Sequence, residues 1–192
     1  RDSAMLRSGP GPGALQEACR EAEPLGTVVI ANYNCPGQLG SGRRPGGSEE
    51  AADLAKTKGA RRCVPLRVSG PFHTPLMAPA GAALQERFRE VSFREPEIPV
   101  IFNCLGREKG PEDRIADLLV RQVQSSVLWK TASAAWSSWG AEAIVGKSAP
   151  GDALTGFVNR TLPQMPVYPV ETAADVAGLP QWLAQTEKEK RQ

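Results

Sequence analysis

The sequence predicts an α/β protein, because helix-like and strand-like apolar patterns alternate along most of its 192 residues. Short runs rich in Val and Ile, of which residues 27–31 are the clearest, are typical of buried strands. Other stretches, such as residues 115–123, repeat apolar side chains at the spacing of one helix face. The alternation is most regular in the second half, where we expect a largely parallel sheet.

Local signals delimit the individual elements. Gly59 is a stop signal for the second helix, and Pro65 favours an edge position for the strand around it. The Asn-rich residues 32–34 are predicted to form a turn, and residues 8–13 and 40–47, dense in Gly, Pro and Arg, are predicted to be loops. We expect helices at residues 14–22, 51–55, 77–88, 115–123, 128–139, 154–158 and 176–183, and strands at 27–31, 63–68, 99–103, 143–145 and 167–170.

Composition and charge argue against several classes of protein. The formal net charge is only +2 and the basic residues are scattered, whereas nucleic-acid binding normally needs a basic patch, so no nucleic-acid partner is expected. We predict a cytoplasmic protein with no membrane partner, because no apolar run could cross a bilayer and the N-terminus does not resemble a signal peptide. Four widely spaced cysteines and one histidine indicate neither a metal site nor a disulfide framework.

The single histidine, His73, is the residue with the most informative setting. It lies in the segment Val-Ser-Gly-Pro-Phe-His-Thr-Pro-Leu-Met, residues 68–77, after a predicted strand and before a predicted helix. Sites in α/β folds are commonly built from such loops, and imidazole is suited to proton transfer near neutral pH. A partly buried histidine that only forms hydrogen bonds is the alternative interpretation.

Several segments together match the pattern of one family, and these are residues 29–38, 59–66, 69–77, 119–122, 126–129 and 154–157. They occur in the order of the family and near its spacing over almost the whole chain, which makes the combination specific although each segment alone is weak. With these segments, the chain resembles the malonyl-CoA:acyl carrier protein transacylases.

The resemblance implies a fold and an activity. It implies part of an α/β-hydrolase-like large subdomain with a small ferredoxin-like subdomain: residues 1–68 as a remnant of the clamp segment and small subdomain, and residues 69–192 as the C-terminal part of the large one. The implied activity is ping-pong malonyl transfer from malonyl-CoA to the phosphopantetheine thiol of acyl carrier protein in fatty-acid biosynthesis. Coenzyme A would enter as a substrate thioester, with no cofactor and no metal.

The resemblance also implies roles for individual residues. His73 would be the general base, Arg1 the clamp of the malonyl carboxylate, Gln122 an orienting neighbour of the histidine, and Phe72 a mark of malonyl specificity. Each role competes with an ordinary one, such as a chain end or a helix-surface glutamine. Asparagines that line the pocket would be Asn32 and Asn34, and basic residues at the coenzyme and carrier entrance would be Arg61 and Arg62, although turn asparagines and solvated arginines are common.

The sequence departs from the family in two ways. No serine stands in Gly-x-Ser-x-Gly, the elbow that presents the nucleophile, so we expect the elbow upstream of this chain and expect the chain alone to be inactive. Residues 6–13 and 39–42 stand where the family has strands, so we expect these strands to be lost or shortened. A non-catalytic module that binds carrier protein and an acyltransferase domain of a polyketide synthase are the alternative hypotheses.

Overall fold

The computed structural model describes residues 3–7, 12–22, 24, 28–43, 48–66, 70–147 and 153–190. Helices and strands are both present, and the fold class is α/β, as predicted. The chain divides into two compact units, Arg1–Ala132 and Ser133–Gln192.

The first unit begins with a four-stranded antiparallel sheet in the strand order β2-β3-β1-β4. Strand β1 lies inside this sheet and pairs with β3 on one side and β4 on the other. A turn containing Gly37, whose φ is 71°, joins β2 to β3, and glycine adopts this left-handed conformation without the steric cost of a Cβ. The elements are β1 (Ser3–Arg7), α1 (Pro12–Ala22), β2 (Val28–Cys35), β3 (Gln38–Arg43), α2 (Ser48–Thr57) and β4 (Arg62–Leu66).

Two predictions about this sheet were wrong. Neither of the two strands expected to be lost or shortened is lost: β1 includes Leu6 and Arg7, whereas residues 8–11 lie outside the described residues, and β3 extends through Gly40, which had been predicted as loop. Glycine weakens a strand but keeps its N–H and C=O groups, and β3 forms ladders with both neighbours. The Asn-rich residues 32–34 form part of β2 rather than a turn, because the hairpin begins only after Cys35. The edge position predicted from Pro65 is confirmed.

Helices α1 and α2 cover the sheet and form the core of the first unit. Leu15, Ala18 and Cys19 of α1 are buried against Ile30 of β2 and Ala55 of α2. This burial accounts for the apolar spacing that predicted the first helix. The glycine stop at Gly59 is also confirmed, since α2 ends at Thr57 and Gly59 adopts a φ of 94°.

The rest of the first unit is mainly helical. Strand β5 is much shorter than the predicted strand at residues 99–103 and pairs antiparallel with β6. Gly81 of α3 lies close to Gln124, and a Cβ on Gly81 would stand only 2.8 Å from the Nε2 atom of Gln124. The absence of a side chain at Gly81 therefore permits the contact between α3 and α4. The elements are a 3₁₀ turn (Pro75–Met77), α3 (Ala78–Arg87), a second 3₁₀ turn (Phe88–Glu90), β5 (Ile101–Phe102), β6 (Arg107–Glu108), α4 (Ile115–Gln124) and α5 (Trp129–Ser138), of which α5 continues into the second unit.

The second unit pairs two parallel strands and adds two helices. Its elements are β7 (Ile144–Lys147), α6 (Ala153–Thr161), β8 (Val167–Val170) and α7 (Ala173–Lys190). The phenolic hydroxyl of Tyr168 donates to the carbonyl of Asp175 at 2.8 Å, and its ring packs on Trp182 with a centroid distance of 5.1 Å. In the part of the chain that is described, β7 and β8 are the only strands paired in parallel, so the expected largely parallel sheet is reduced to this pair.

We predict that the stability of the fold decreases at high pH because of Cys19. Burial raises the pKa of its thiol from 9.0 to about 11. Between these pH values the unfolded chain releases a proton that the folded chain retains, so the free energy of unfolding falls as the pH rises, by up to about 2.7 kcal/mol. Urea unfolding followed by tryptophan fluorescence at pH 7 to 11 measures this fall, and Cys19→Ala should lessen it. An equal fall in both proteins would contradict the prediction.

Candidate functional site

His73 occupies a turn that follows β4 and precedes the 3₁₀ turn at Pro75–Met77. Its φ is 62°, which makes it the only residue other than glycine with a positive φ in the described segments. Histidine enters this left-handed region more readily than most residues, yet the conformation costs energy and persists only when neighbouring contacts hold it. The backbone N–H of His73 provides one such contact by donating to the carbonyl of Val123 at 3.0 Å.

The imidazole ring is held by the same helix end. Its Nδ1 atom lies 3.0 Å from the carbonyl oxygen of Gln122. A carbonyl oxygen can only accept a hydrogen bond, so the neutral ring must carry its proton on Nδ1 for this bond to form. The lone pair is then left on Nε2, and the arrangement presents a base at that atom.

Gln122 contacts the His73 ring through its main chain. The two residues are neighbours, as expected, and the contact is made by the main-chain carbonyl of Gln122. Gln122 and Val123 belong to the last turn of α4, where carbonyl oxygens have no partner inside the helix. His73 therefore caps α4 with two donors, its backbone N–H and its ring N–H.

Strand β2 is joined to the segment that follows α4. Val127 accepts a hydrogen bond from the N–H of Tyr33 and donates its own N–H to the carbonyl of Ala31, both at 2.8 Å. The hydroxyl of Ser126 donates to the carbonyl of Ile30 at 2.6 Å. These bonds attach the strand of the predicted pocket asparagines to the stretch of chain that follows α4. Sequence reasoning missed the two bonds of Val127 because backbone groups leave no mark in the sequence.

Asn32 and Asn34 lie in an irregular part of β2. The register with β3 shifts on both sides of the pair Asn32–Tyr33, so Asn34 is the extra residue of a β-bulge. Asn32 is paired with Gly40, and a Cβ on Gly40 would lie 3.1 Å from the side-chain nitrogen of Asn32. The glycine therefore leaves the space that the Asn32 side chain occupies.

The predicted arginines are placed differently. Arg61 and Arg62 are exposed at the start of β4, whereas His73 follows the other end of that strand. Phe72, next to His73, is 47% exposed. Arg1, the predicted carboxylate clamp, lies outside the described residues.

Two cavities within the described residues are lined by residues other than His73. One of about 420 Å³ lies in the first unit beside β2 and is lined by Gln16, Cys19, Arg20, Val29, Ile30, Tyr33 and Ser126. A larger groove of about 790 Å³ lies within the second unit and includes Glu142, Thr186 and Lys190. Among the described residues, no three His, Cys, Asp or Glu side chains are grouped so that they could hold a metal ion.

Known proteins resemble the chain in sequence and in fold. It is 34% identical over 163 residues to the malonyl CoA-acyl carrier protein transacylase of Bacillus subtilis, which covers 83% of this chain and 51% of the relative. The crystal structure of the Clostridium perfringens transacylase superposes with a TM-score of 0.88 at 28% identity, covering 99% of this chain and 59% of that one. The chain belongs to the malonyl-CoA:acyl carrier protein transacylase family. No family model matches it.

Two further findings bear on this family assignment. The chain spans about half the length of the curated transacylases it matches. A malonyl-transacylase solved in complex with a type II polyketide-synthase acyl-carrier protein superposes with a TM-score of 0.82 at 29% identity, covering 92% of this chain and 57% of that one.

Within the described residues, no helix of this transacylase-family chain has the length and apolar character needed to span a membrane.

We predict that the neutral ring of His73 is protonated on Nδ1. Because the chain has one histidine, selective ¹⁵N labelling gives a single pair of ring signals. The folded chain should show a bonded Nδ1–H and an unprotonated Nε2, whereas the urea-unfolded chain, without a fixed acceptor, should show a mixture of tautomers. A folded ring that carries its proton mainly on Nε2 would contradict the geometry at Gln122.

Proposed function

We propose that this chain supplies the base of a malonyl transfer from malonyl-CoA to the phosphopantetheine thiol of acyl carrier protein, in fatty-acid biosynthesis. The observation that carries the proposal is the bond between Nδ1 of His73 and the carbonyl of Gln122, which leaves Nε2 as an acceptor. The nucleophile of the transfer is a serine hydroxyl outside this chain, since no serine here stands in Gly-x-Ser-x-Gly.

The proposed reaction has two half-reactions that share His73. In the first, Nε2 accepts the proton of the serine hydroxyl while its oxygen attacks the malonyl carbonyl, and the imidazolium returns that proton to the departing coenzyme A thiolate. In the second, Nε2 accepts the proton of the carrier thiol, whose sulfur attacks the malonyl-serine ester. The proton then returns to the serine oxygen, so the histidine ends each half-reaction unchanged.

Other residues of the chain have proposed roles in binding. A guanidinium matches a carboxylate with two parallel hydrogen bonds, which supports Arg1 as the clamp of the malonyl group. Asn32 and Asn34 are placed on the strand attached to the segment after α4, which supports a role in lining the acyl pocket. The exposure of Arg61 and Arg62 suits contact with coenzyme A or carrier protein, which are large and anionic partners. The proposed reaction uses no cofactor and no metal, and the proposed location is the cytoplasm.

We also infer the subdomain identity of the first strands. The order β-α-β-β-α-β in one antiparallel sheet, with β1 between β3 and β4, supports a small ferredoxin-like subdomain in residues 1–68. Residues 69–192 are then proposed as the C-terminal part of an α/β-hydrolase-like large subdomain.

A second candidate acceptor is the carrier protein of a polyketide synthase. One of the similar structures is a malonyl-transacylase bound to such a carrier. Parallel transfer assays with a fatty-acid carrier and a polyketide carrier distinguish the two candidates, and the carrier with the higher kcat/KM is the preferred acceptor.

We predict that the chain alone does not become acylated. Incubation with radiolabelled malonyl-CoA should leave no label on the denatured chain, because a histidine base without its serine forms no stable ester. Mass spectrometry of the intact chain checks this result. A stable malonyl adduct on any residue would show that the nucleophile lies within the chain.

We predict that transfer becomes measurable when the serine is supplied in trans. The added polypeptide would be the part of the Bacillus subtilis relative that this chain does not match. His73→Asn should lower the transfer rate by about 10²–10⁴-fold, the usual contribution of a general base, while asparagine tolerates the left-handed backbone. Glu187→Gln, an exposed change on α7, is the matched control and should leave the rate unchanged. Equal rates with and without His73 would refute its role as base.

A further inference from the structure

The side chain of Thr74, the residue after His73, is fully buried, whereas His73 is half-buried and Pro75 is exposed. We propose that Thr74 is a positioning residue, whose hydroxyl holds His73 in the left-handed conformation that brings its ring to the end of α4. The inference deepens the proposed function and rests on it only for the use of Nε2 as a base.

The Thr74 hydroxyl closes the turn that contains His73. It donates to the carbonyl of Pro71 at 2.7 Å and accepts a hydrogen bond from the N–H of Leu76 at 3.2 Å. The two bonds tie the chain before His73 to the chain after it. Thr74 itself is extended, with φ −129° and ψ 161°, so the chain changes direction between a left-handed residue and an extended one.

A simple capping role does not account for both bonds. Thr74 is the N-cap of the 3₁₀ turn at Pro75–Met77, and the bond from Leu76 serves that purpose. The bond to Pro71 runs in the opposite direction, across Phe72 and His73, and stabilises nothing in the 3₁₀ turn. This bond therefore constrains the backbone of Phe72 and His73, the two residues between Pro71 and Thr74.

The contacts of His73 depend on the two hydrogen bonds of the Thr74 hydroxyl, because they form only at one backbone conformation of His73. Its N–H and its ring Nδ1 reach the carbonyls of Val123 and Gln122 at the same time, each at 3.0 Å. A residue with a Cβ leaves the left-handed region when its neighbours release it. Loss of the Thr74 hydroxyl is therefore expected to separate the ring from Gln122 and to remove the preference for a proton on Nδ1.

The test compares three variants of the chain as it stands. Thr74→Val keeps the branched shape but has no hydroxyl, and Thr74→Ser keeps the hydroxyl. Thr186→Val is the matched control, because the Thr186 hydroxyl is also buried and donates to a carbonyl, that of Trp182 at 2.9 Å, within the second unit. The ring tautomer is measured by ¹⁵N-histidine NMR, the exchange of the His73 amide by hydrogen exchange, and folding by thermal denaturation.

The expected results separate positioning from stability. Thr74→Val should lose the bonded Nδ1–H signal and exchange the His73 amide about tenfold faster, while Thr74→Ser retains both wild-type properties. Thr186→Val should lower the melting temperature without changing the ring tautomer. If Thr74→Val does not fold, Thr74→Ala provides the same comparison.

Two results would overturn the inference. One is a folded Thr74→Val or Thr74→Ala chain whose ring keeps the wild-type tautomer, and the other is an equal tautomer change in Thr186→Val. These readouts require no acyl transfer. Failure of the reconstituted transfer therefore counts against the proposed function alone, and an unchanged tautomer counts against the role of Thr74 alone.

Discussion

The capping of α4 by His73 is the interaction on which the candidate site depends. The last carbonyl oxygens of a helix have no partner within it, and an end without other partners loses stability when it is shielded from water. His73 supplies two donors to this end, through its backbone N–H to Val123 and its ring Nδ1 to Gln122. The ring contact thus both caps the helix and selects the tautomer of the neutral imidazole.

The segment after α4 extends this arrangement to the sheet of the first unit. Val127 pairs with the backbone on either side of Asn32, and Leu128 donates its N–H to the carbonyl of Asn103 at 2.9 Å. Strand β2 would otherwise present an unpaired edge, and such edges are normally covered. Because α4 and this segment are continuous, the position of Gln122 is fixed by hydrogen bonds at both ends of a short stretch of chain.

The sequence was informative where side chains determine structure. Apolar spacing predicted α1, α4 and the other helices, Gly59 predicted the end of α2, and the setting of His73 predicted a loop after a strand. It was uninformative where backbone groups determine structure. Strand β3 was missed because Gly40 and Gly42 carry no side-chain signal, and the sequence did not reveal that the main-chain carbonyl of Gln122 is the group that contacts the His73 ring. Arg1 lies outside the described residues, so its predicted role stays a prediction.

The groups that orient His73 come from two short stretches, residues 71–76 and 122–123, and both belong to the first unit. None of these contacts involves a serine elbow. The orientation of the imidazole ring is therefore a property that the chain can have by itself, whereas the proposed acyl transfer needs a nucleophile, and no serine of the sequence stands in Gly-x-Ser-x-Gly. A preorganised base lowers the barrier only when the nucleophile is placed within hydrogen-bond reach of Nε2. The orientation of the imidazole ring and the proposed acyl transfer can therefore be measured separately, the first by the tautomer of one ring and the second by transfer of an acyl group.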